Sequence, residues 1–178
     1  MHRLFVAIRP PAMIRSALID LMEGVKGARW QDDEQLHLTL RFIGEVDGRV
    51  AEDVAAALGT VHQPPFSIAL DGVGQFGSRG RANALWAGVR PHEALRHLHR
   101  KIDQAIVRAG LEPERRAYLP HITLARFGRE SGGLDAFLAR HAGLRSDPFE
   151  VTDFALYESR LGHEGASYTI VERYDLSA

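Results

Sequence analysis

Two stretches of the chain repeat one pattern, QLHLTLRFIG at residues 35–44 and LPHITLARFG at residues 119–128. In an extended strand, successive side chains point to opposite faces. His37 and Thr39 therefore share one face, and His121 and Thr123 repeat that pair in the second stretch. The residues between them are leucine and isoleucine, which suit a half-buried sheet. The sequence thus predicts two strands that each present an imidazole beside a hydroxyl.

The same series of elements surrounds both stretches. Hydrophobic periodicity with proline and glycine breaks predicts strand, helix, histidine strand, helix and strand, twice over. The first series comprises strand 4–8, helix 11–25, the His37 strand, helix 50–61 and strand 66–70. The second comprises strand 84–89, helix 91–109, the His121 strand, helix 134–141 and strand 149–157, and a last strand follows at 167–174.

This repetition predicts a single bilobal domain over residues 1–178, internally duplicated with sequence halves of roughly 1–80 and 81–178. The expected architecture is therefore two pseudo-symmetric lobes around a central cleft. Equivalent strands of the two lobes would face each other across a pseudo-twofold axis. His37 and His121 would then lie on opposite walls of that cleft.

Bulk composition is that of an ordinary globular protein. Of the 178 residues, 45% are apolar and 25% are charged, and the formal net charge of -1 argues against a broad basic surface for nucleic acid. A local basic pocket for one phosphate is still compatible with that charge. The absence of cysteine excludes disulfides and thiolate zinc sites. The apolar run at residues 4–8 is too short for a signal peptide or a membrane span, so we expect a cytoplasmic protein without membrane contact.

The paired polar side chains predict acid–base chemistry at a phosphate. An unperturbed imidazole titrates near neutrality, so one histidine can be a base while the other is an acid. The hydroxyls of Thr39 and Thr123 can donate hydrogen bonds to non-bridging oxygens. Such groups suit phosphoryl transfer without a metal or another cofactor. The near-symmetry of the two stretches leaves open which histidine is the acid.

The motifs HLTL at His37 and HITL at His121, with the opening RLFVAI and the stretches FIGEV and PHITLAR, resemble the two-histidine (2H) phosphoesterase superfamily. Within it they resemble the bacterial RNA 2',3'-cyclic phosphodiesterases, also called 2'-5' RNA ligases. The resemblance implies an α+β fold, with two pseudo-symmetric lobes of antiparallel sheet and flanking helices around the central cleft. It also implies metal-independent hydrolysis of a 2',3'-cyclic phosphate at an RNA 3' end to a 2'-phosphate, with a weaker, reversible 2'-5' joining activity. By resemblance, His37 is the proton donor to O3' and His121 accepts the proton of water.

Five residues after each histidine the stretches differ, with Phe42 in one and Arg126 in the other. The resemblance assigns Arg126 to phosphate or backbone contact, which suits a guanidinium, and Phe42 would then stack on the terminal base. Strict alternation, however, puts both side chains on the leucine face inside the core, where an arginine is costly. We therefore expect the strand to bend or end beside Arg126, and core filling is an alternative for Phe42. Arg41, on the histidine face by alternation, is a competing basic candidate.

Two further patterns do not favour other chemistry. Residues 72–77 match G-x-G-x-x-G, but the glycines run on through Ser78 and Gly80 into another strand pattern where a dinucleotide site needs a helix. We expect this segment to be a flexible connection between the lobes. His97 and His99 are two apart on a predicted helix and cannot chelate one ion.

Two alternatives to an RNA-end hydrolase stay open at this point. One is a non-catalytic module that binds RNA ends, which the near-neutral charge and the paired imidazoles disfavour. The other is the same fold acting on a small cyclic nucleotide ester such as ADP-ribose 1'',2''-cyclic phosphate. In each case we expect a monomer.

Overall fold

The computed structural model describes residues 1–78, 81–129 and 133–178. Its strands are β1 (His2–Ile8), β2 (Ala28–Trp30), β3 (Leu38–Val46), β4 (Phe66–Ser78), β5 (Arg81–Arg90), β6 (His121–Phe127), β7 (Phe149–Val151), β8 (Asp153–Gly162) and β9 (Gly165–Asp175). Its helices are α1 (Ala12–Ile19), α2 (Gly48–Leu58), α3 (Glu93–Arg108) and α4 (Asp135–His141), and Asp33–Gln35 forms a 3-10 turn.

The described strands join in one antiparallel sheet in the order β7-β4-β5-β6-β3-β1-β8-β9, and β2 pairs with β6 beside this path. At its centre β3 meets β6 through the single residue pair Leu38 and Ile122, which hold equivalent places in the two histidine stretches. From that pair outward, each histidine strand is followed by β1 or β5 and then by outer strands. This order confirms the predicted α+β fold with two sheet lobes. The duplication with a boundary near residue 80 stays a prediction.

The two faces of the sheet have different roles. On β1, Leu4, Val6 and Ile8 belong to the main core, whereas Phe5 and Ala7 belong to a separate cluster on the opposite face. Helix α3 packs against β3 on the core side and buries the leucine and isoleucine positions that its sequence spacing predicted, Leu95, Leu98, Ile102 and Ile106. The main core therefore leaves the other face of the sheet available for the histidines.

Helix α1 is shorter than the predicted helix 11–25. Beyond Ile19, the N–H groups of Leu21 and Met22 bond to carbonyls only three residues back, which tightens the last turn. Gly24 then has a φ of 77°, which no right-handed helix contains. The predicted strand 149–157 is likewise divided, because β7 pairs with β4 while β8 pairs with β1 and β9.

The prediction of a flexible connection at residues 72–77 is wrong, because this segment belongs to β4 and pairs with β5. Its glycines permit close approach within the strand. A Cβ at Gly74 would lie 2.3 Å from the indole of Trp86, and a Cβ at Gly77 would lie 1.9 Å from the carbonyl oxygen of Arg81. Gly80, to which the pattern extends in the sequence, lies outside the described residues.

Candidate active site

A β-bulge in each histidine strand decides which side chains reach the cleft. On β3, the register with β1 skips Leu40, which lies between the paired residues Thr39 and Arg41. On β6, the register with β5 skips Leu124, which is also the third residue after a histidine. An extra residue reverses the alternation of side chains along a strand. The side chains five residues after each histidine therefore return to the histidine face.

Phe42 and Arg126 consequently line the cleft, so the expectation from strict alternation is wrong. Phe42 keeps 54% of its surface exposed, which also excludes the core-filling alternative. Arg41 is displaced to the core side, where it is 7% exposed and its Nε donates to Oδ1 of Asp103 at 2.8 Å. Arg41 is therefore not the basic candidate for the cleft. Of the two expectations for this strand, to bend or to end beside Arg126, the second is wrong because β6 continues to Phe127, and the bulge at Leu124 is the irregularity that the first allowed.

A cavity of about 1030 Å³ extends along the histidine face. Of the predicted site residues, its wall includes His37, Thr39, Phe42, Thr123 and Arg126. Other lining residues are Arg3, Arg29, Gln31, Gln35, Tyr168 and the tip of the β8–β9 hairpin at residues 161–166. His121 is not part of this wall, although it lies two residues before Thr123 on the same strand.

His37, immediately before β3, lies in an aromatic cage. The centroid of its ring is 4.6 Å from that of Tyr157, 5.5 Å from Tyr168 and 6.0 Å from Phe5, and each contact is edge-on. Only 7% of His37 is exposed, and its buried Nδ1 makes no hydrogen bond of ordinary geometry. The sequence analysis did not find these aromatic residues. The sequence did hold a signal for Phe5, because alternation along the RLFVAI strand places it opposite the aliphatic core side chains.

The electrostatic environment of His37 favours the neutral imidazole. Burial lowers the pKa of His37 from 6.5 to about 4, because a charged ring would lose its hydration. The nearby carbonyl of Gln35 opposes this pKa shift, and the positive charges of Arg9 and Arg15 add to it. The Gln35 carbonyl therefore acts on the ring without the geometry of a full hydrogen bond.

His121 occupies a more open position on the other strand. Its ring centroid lies 4.9 Å from that of Phe76 and 5.9 Å from that of Trp86. Its Nδ1 donates to the carbonyl of Leu119 at 2.7 Å, which leaves Nε2 as the free nitrogen of a neutral ring. Burial lowers the pKa of His121 as well, opposed by that carbonyl and assisted by the charge of Arg126.

Two aromatic side chains outside β3 form hydrogen bonds with the backbone of its bulge. One is Tyr118, just before the second histidine stretch, and the other is His99 on α3. The hydroxyl of Tyr118 donates to the carbonyl of Thr39 at 3.0 Å, and Nδ1 of His99 donates to the carbonyl of Leu40 at 2.7 Å. The rings of His99 and Tyr118 stack at a centroid distance of 4.2 Å and an interplanar angle of 2°. Tyr118, three residues before His121, thus fixes the position of the first histidine strand.

Arg41 completes this connection. Besides its bond to Asp103, its two Nη atoms donate to the carbonyls of Phe42 and Glu112, each at 2.5 Å. The same Oδ1 of Asp103 accepts from the backbone N–H of Glu114 at 3.0 Å. The sequence analysis missed this network. Its only signal was that polar residues 99 and 103 lie one turn apart beside the apolar stripe of α3.

The described residues contain no group of three or more histidine, aspartate or glutamate side chains placed to hold a metal ion. Over the same ranges, every helix is too short or too polar to cross a lipid bilayer. The expectation of catalysis without a metal or cofactor stays a prediction.

Two imidazoles, each with a hydroxyl two residues along on equivalent antiparallel strands, form the arrangement expected of a two-histidine phosphoesterase. The profile of the 2'-5' RNA ligase superfamily matches residues 10–163. The RNA 2',3'-cyclic phosphodiesterase of Escherichia coli K12 is 32% identical over 180 aligned positions, which cover 99% of this chain and 97% of the relative. The crystal structure of E. coli LigT complexed with 3'-AMP superposes with a TM-score of 0.78 and 29% identity, covering 99% of each chain.

The RNA 2',3'-cyclic phosphodiesterase of Geobacillus stearothermophilus is 32% identical over 134 residues. This alignment covers 74% of the chain described here and 43% of that relative, so the chain spans less than half of the Geobacillus protein. The chain belongs to the 2'-5' RNA ligase superfamily, and the resemblance noted in its sequence is confirmed.

Proposed function

We propose that this protein hydrolyses the 2',3'-cyclic phosphate at RNA 3' ends to a 2'-phosphate. The observation that carries the proposal is the pairing of Leu38 with Ile122, which brings the two His-x-Thr strands side by side at the centre of the sheet. A general acid and a general base are then available on either side of one bound phosphate. The names of the E. coli and G. stearothermophilus relatives support the same substrate class.

In the proposed reaction, His121 accepts a proton from water as the water oxygen attacks phosphorus. The P–O3' bond breaks, its electron pair goes to O3', and His37 transfers its proton to that oxygen. The phosphate stays on O2'. When an RNA 5'-hydroxyl takes the place of water, its oxygen attacks the same cyclic phosphate, the P–O3' bond breaks as before, and a 2'-5' phosphodiester forms weakly. In the reverse of this step the two histidines exchange roles: O3' loses its proton and attacks phosphorus, and the 5'-oxygen leaves with a proton.

The remaining cleft residues would hold the substrate. The hydroxyls of Thr39 and Thr123 donate to the non-bridging oxygens, and Arg126 balances the charge of the phosphate. The exposed face of Phe42 offers a platform for the terminal base. These roles are supported by the bulges, which bring both of the last two side chains to the histidine face.

The low pKa of His37 makes the acid role depend on the substrate. In the free protein at neutral pH both imidazoles are neutral, because burial lowers both pKa values. A cyclic phosphate diester carries one negative charge, and an opposite charge within a few ångströms raises the pKa of an imidazole. Binding of the substrate would therefore favour the protonated form of His37 that the reaction needs.

The direct test is incubation of an RNA oligomer bearing a 2',3'-cyclic phosphate in excess chelator, followed by identification of the product. A single 2'-phosphate product supports the proposal. Tight binding without any product would instead support the RNA-end-binding module. Faster hydrolysis of ADP-ribose 1'',2''-cyclic phosphate in direct competition would support the small-ester alternative, and a 3'-phosphate product would overturn the assigned orientation of the ribose.

We further propose that the protein acts as a cytoplasmic monomer. One chain supplies both His-x-Thr pairs and the whole cavity wall, so the site is complete without a partner. A chain without cysteine also suits a reducing compartment. Light scattering of the purified protein checks the first statement, and cell fractionation checks the second.

A further inference from the structure

Strand β2 places a second arginine beside Arg126. Arg29 and Arg126 are opposite each other in the antiparallel pair of β2 with β6, so their side chains share one face. Both side chains are exposed, and both line the cavity. Like charges directly opposite each other on two strands destabilise the sheet. The pair therefore costs stability unless something of opposite charge binds between them.

No carboxylate of the described residues compensates the pair. Within residues 1–78, 81–129 and 133–178, neither guanidinium has a carboxylate at ion-pair distance, although several other arginines do, among them Arg9, Arg15 and Arg41. Glu164 lines the same cavity but is not paired with either. Among the described residues the pair therefore lacks an anionic partner, which an anion from outside the chain would supply.

The position of the pair indicates which anion this is. The charge of Arg126 lowers the pKa of His121, so Arg126 lies near the proposed catalytic centre, and Arg29 lies opposite Arg126 on the neighbouring strand. The cavity of about 1030 Å³ is also at the upper end of the roughly 300–1,000 Å³ that suits one drug-sized ligand. It therefore has room for more than the terminal nucleotide.

We infer that Arg29, beside Arg126, binds the phosphodiester on the 5' side of the terminal nucleotide, so that the site prefers an oligonucleotide to a free cyclic mononucleotide. The inference rests on the proposed function, since the terminal cyclic phosphate must occupy the histidine site. It assigns to β2, which the sequence analysis did not predict, the role of selecting the substrate.

The test uses two dinucleotides that end in a 2',3'-cyclic phosphate, one with an ordinary phosphodiester linkage and one with a neutral methylphosphonate linkage. Arg29→Gln should lower kcat/KM for the charged dinucleotide by about tenfold, the usual weight of a hydrogen bond to a charged group. It should change the value for the neutral dinucleotide less than twofold. Arg96→Gln, an exposed arginine on α3, is the matched control and should change neither.

Equal losses on both dinucleotides, or no loss on either, would overturn the role of Arg29. Dissociation constants for the corresponding 2'-phosphate products, measured with the same linkages, separate this inference from the proposed function. If the wild-type protein binds the charged product about tenfold more tightly than Arg29→Gln but hydrolyses neither dinucleotide, the proposed function falls and the phosphate site stands. If the wild type hydrolyses both dinucleotides equally well, only the inference about Arg29 falls.

Discussion

His37 lies in an aromatic cage, and its buried Nδ1 makes no hydrogen bond of ordinary geometry within the described residues, whereas His121 is partly exposed and bonds its Nδ1 to a backbone carbonyl at 2.7 Å. Both imidazoles nevertheless occupy the same place relative to a bulge three residues later. The strand geometry thus sets where each histidine lies, and the neighbouring side chains set its protonation. The same residue type is therefore suited to two different roles in the proposed reaction.

The positions after the bulges differ in the same way. The first strand uses Arg41 to connect itself to α3 and has an aromatic ring in the cleft, while the second strand has the small Ala125 and an exposed cation. The first strand is therefore anchored by a buried charge pair, and the second needs no such anchor because β2 and β5 pair with it on its two edges.

The largest effect is expected from the two histidines, because the proposed mechanism gives each an essential but different proton transfer. His37→Ala and His121→Ala should each lower kcat/KM by roughly 10²–10⁴-fold, the usual contribution of a positioned acid or base. His97→Ala, an exposed histidine on α3, is the control and should leave turnover unchanged. Near-normal turnover in a folded variant of either cleft histidine would contradict the two-histidine mechanism.

The anchor of the first strand can be tested by removing its charge. Arg41→Met leaves the carboxylate of Asp103 without its partner, so the free energy of unfolding should fall by about 3 kcal/mol. Asp103→Leu in the same chain should recover part of that loss, since the unpaired charge is then gone. Urea denaturation of both variants measures the coupling. A loss below about 1 kcal/mol in Arg41→Met would mean that the anchor does not stabilise the bulge.

Stability should also depend on pH through the caged histidine. The pKa of His37 is about 4 in the folded chain and near 6.5 in the unfolded one, so between these values the unfolded chain binds more protons. The free energy of unfolding should therefore fall as pH drops from 6.5 to 4, by about 3 kcal/mol for this residue alone. Urea denaturation at several pH values should show a smaller fall in His37→Gln. An unchanged slope in that variant would contradict the cage argument.

The parts of the site that follow from local alternation could be predicted from the sequence. His37 and Thr39 share a face within two residues, before any bulge intervenes, and the same holds for the second pair. Arg41 and Phe42 could not be placed, because the bulge arises from the register with β1, a strand distant in the sequence. The side-chain period beyond the threonine therefore failed on both strands.

The other errors have a similar origin. A glycine-rich segment indicates a loop by composition, but the residues at 74 and 77 are small because Trp86 and the β5 backbone lie against them. Tyr118 and His99 contact the β3 bulge through tertiary packing, which local sequence patterns do not predict. The sequence analysis missed features that depend on contacts with residues far along the chain, whereas it predicted those that depend on alternation within one strand.

The pH dependence of kcat/KM should reflect the pKa values of the two histidines in the free protein. One imidazole must be charged and the other neutral, so kcat/KM should be bell-shaped, and its apparent pKa values belong to the pair. Because burial lowers the pKa of both histidines, the maximum should lie on the acid side of 6.5. The maximum of kcat should lie at higher pH, since the bound anion raises the pKa of the acid. A kcat/KM maximum above pH 7.5 would contradict this.

The smallest effect is expected from the hydrogen bond between Tyr118, just before the second histidine stretch, and Thr39 in the first. Tyr118→Phe removes the hydroxyl that donates to the carbonyl of Thr39 but keeps the ring that stacks on His99. Burial raises the pKa of Tyr118, so the wild-type hydroxyl stays neutral and available as a donor. Losing this bond should lower the free energy of unfolding by about 1 kcal/mol. The carbonyl that accepts this bond and the hydroxyl that faces the cleft both belong to Thr39. Losing the bond should therefore also lower kcat a few-fold, while KM changes less.

Tyr174→Phe is the matched control for this last change. Its hydroxyl donates to the carbonyl of Ala55 at 2.7 Å and lies 3.3 Å from Oε2 of Glu172, and its ring stacks on Phe154; none of these partners belongs to a histidine stretch. It should lose a similar free energy of unfolding and keep the wild-type kcat. If both variants lose stability and neither loses kcat, Tyr118 stabilises the fold without positioning Thr39. A fall in kcat that is confined to Tyr118→Phe would show that the segment before His121 also holds the first histidine strand in its working position.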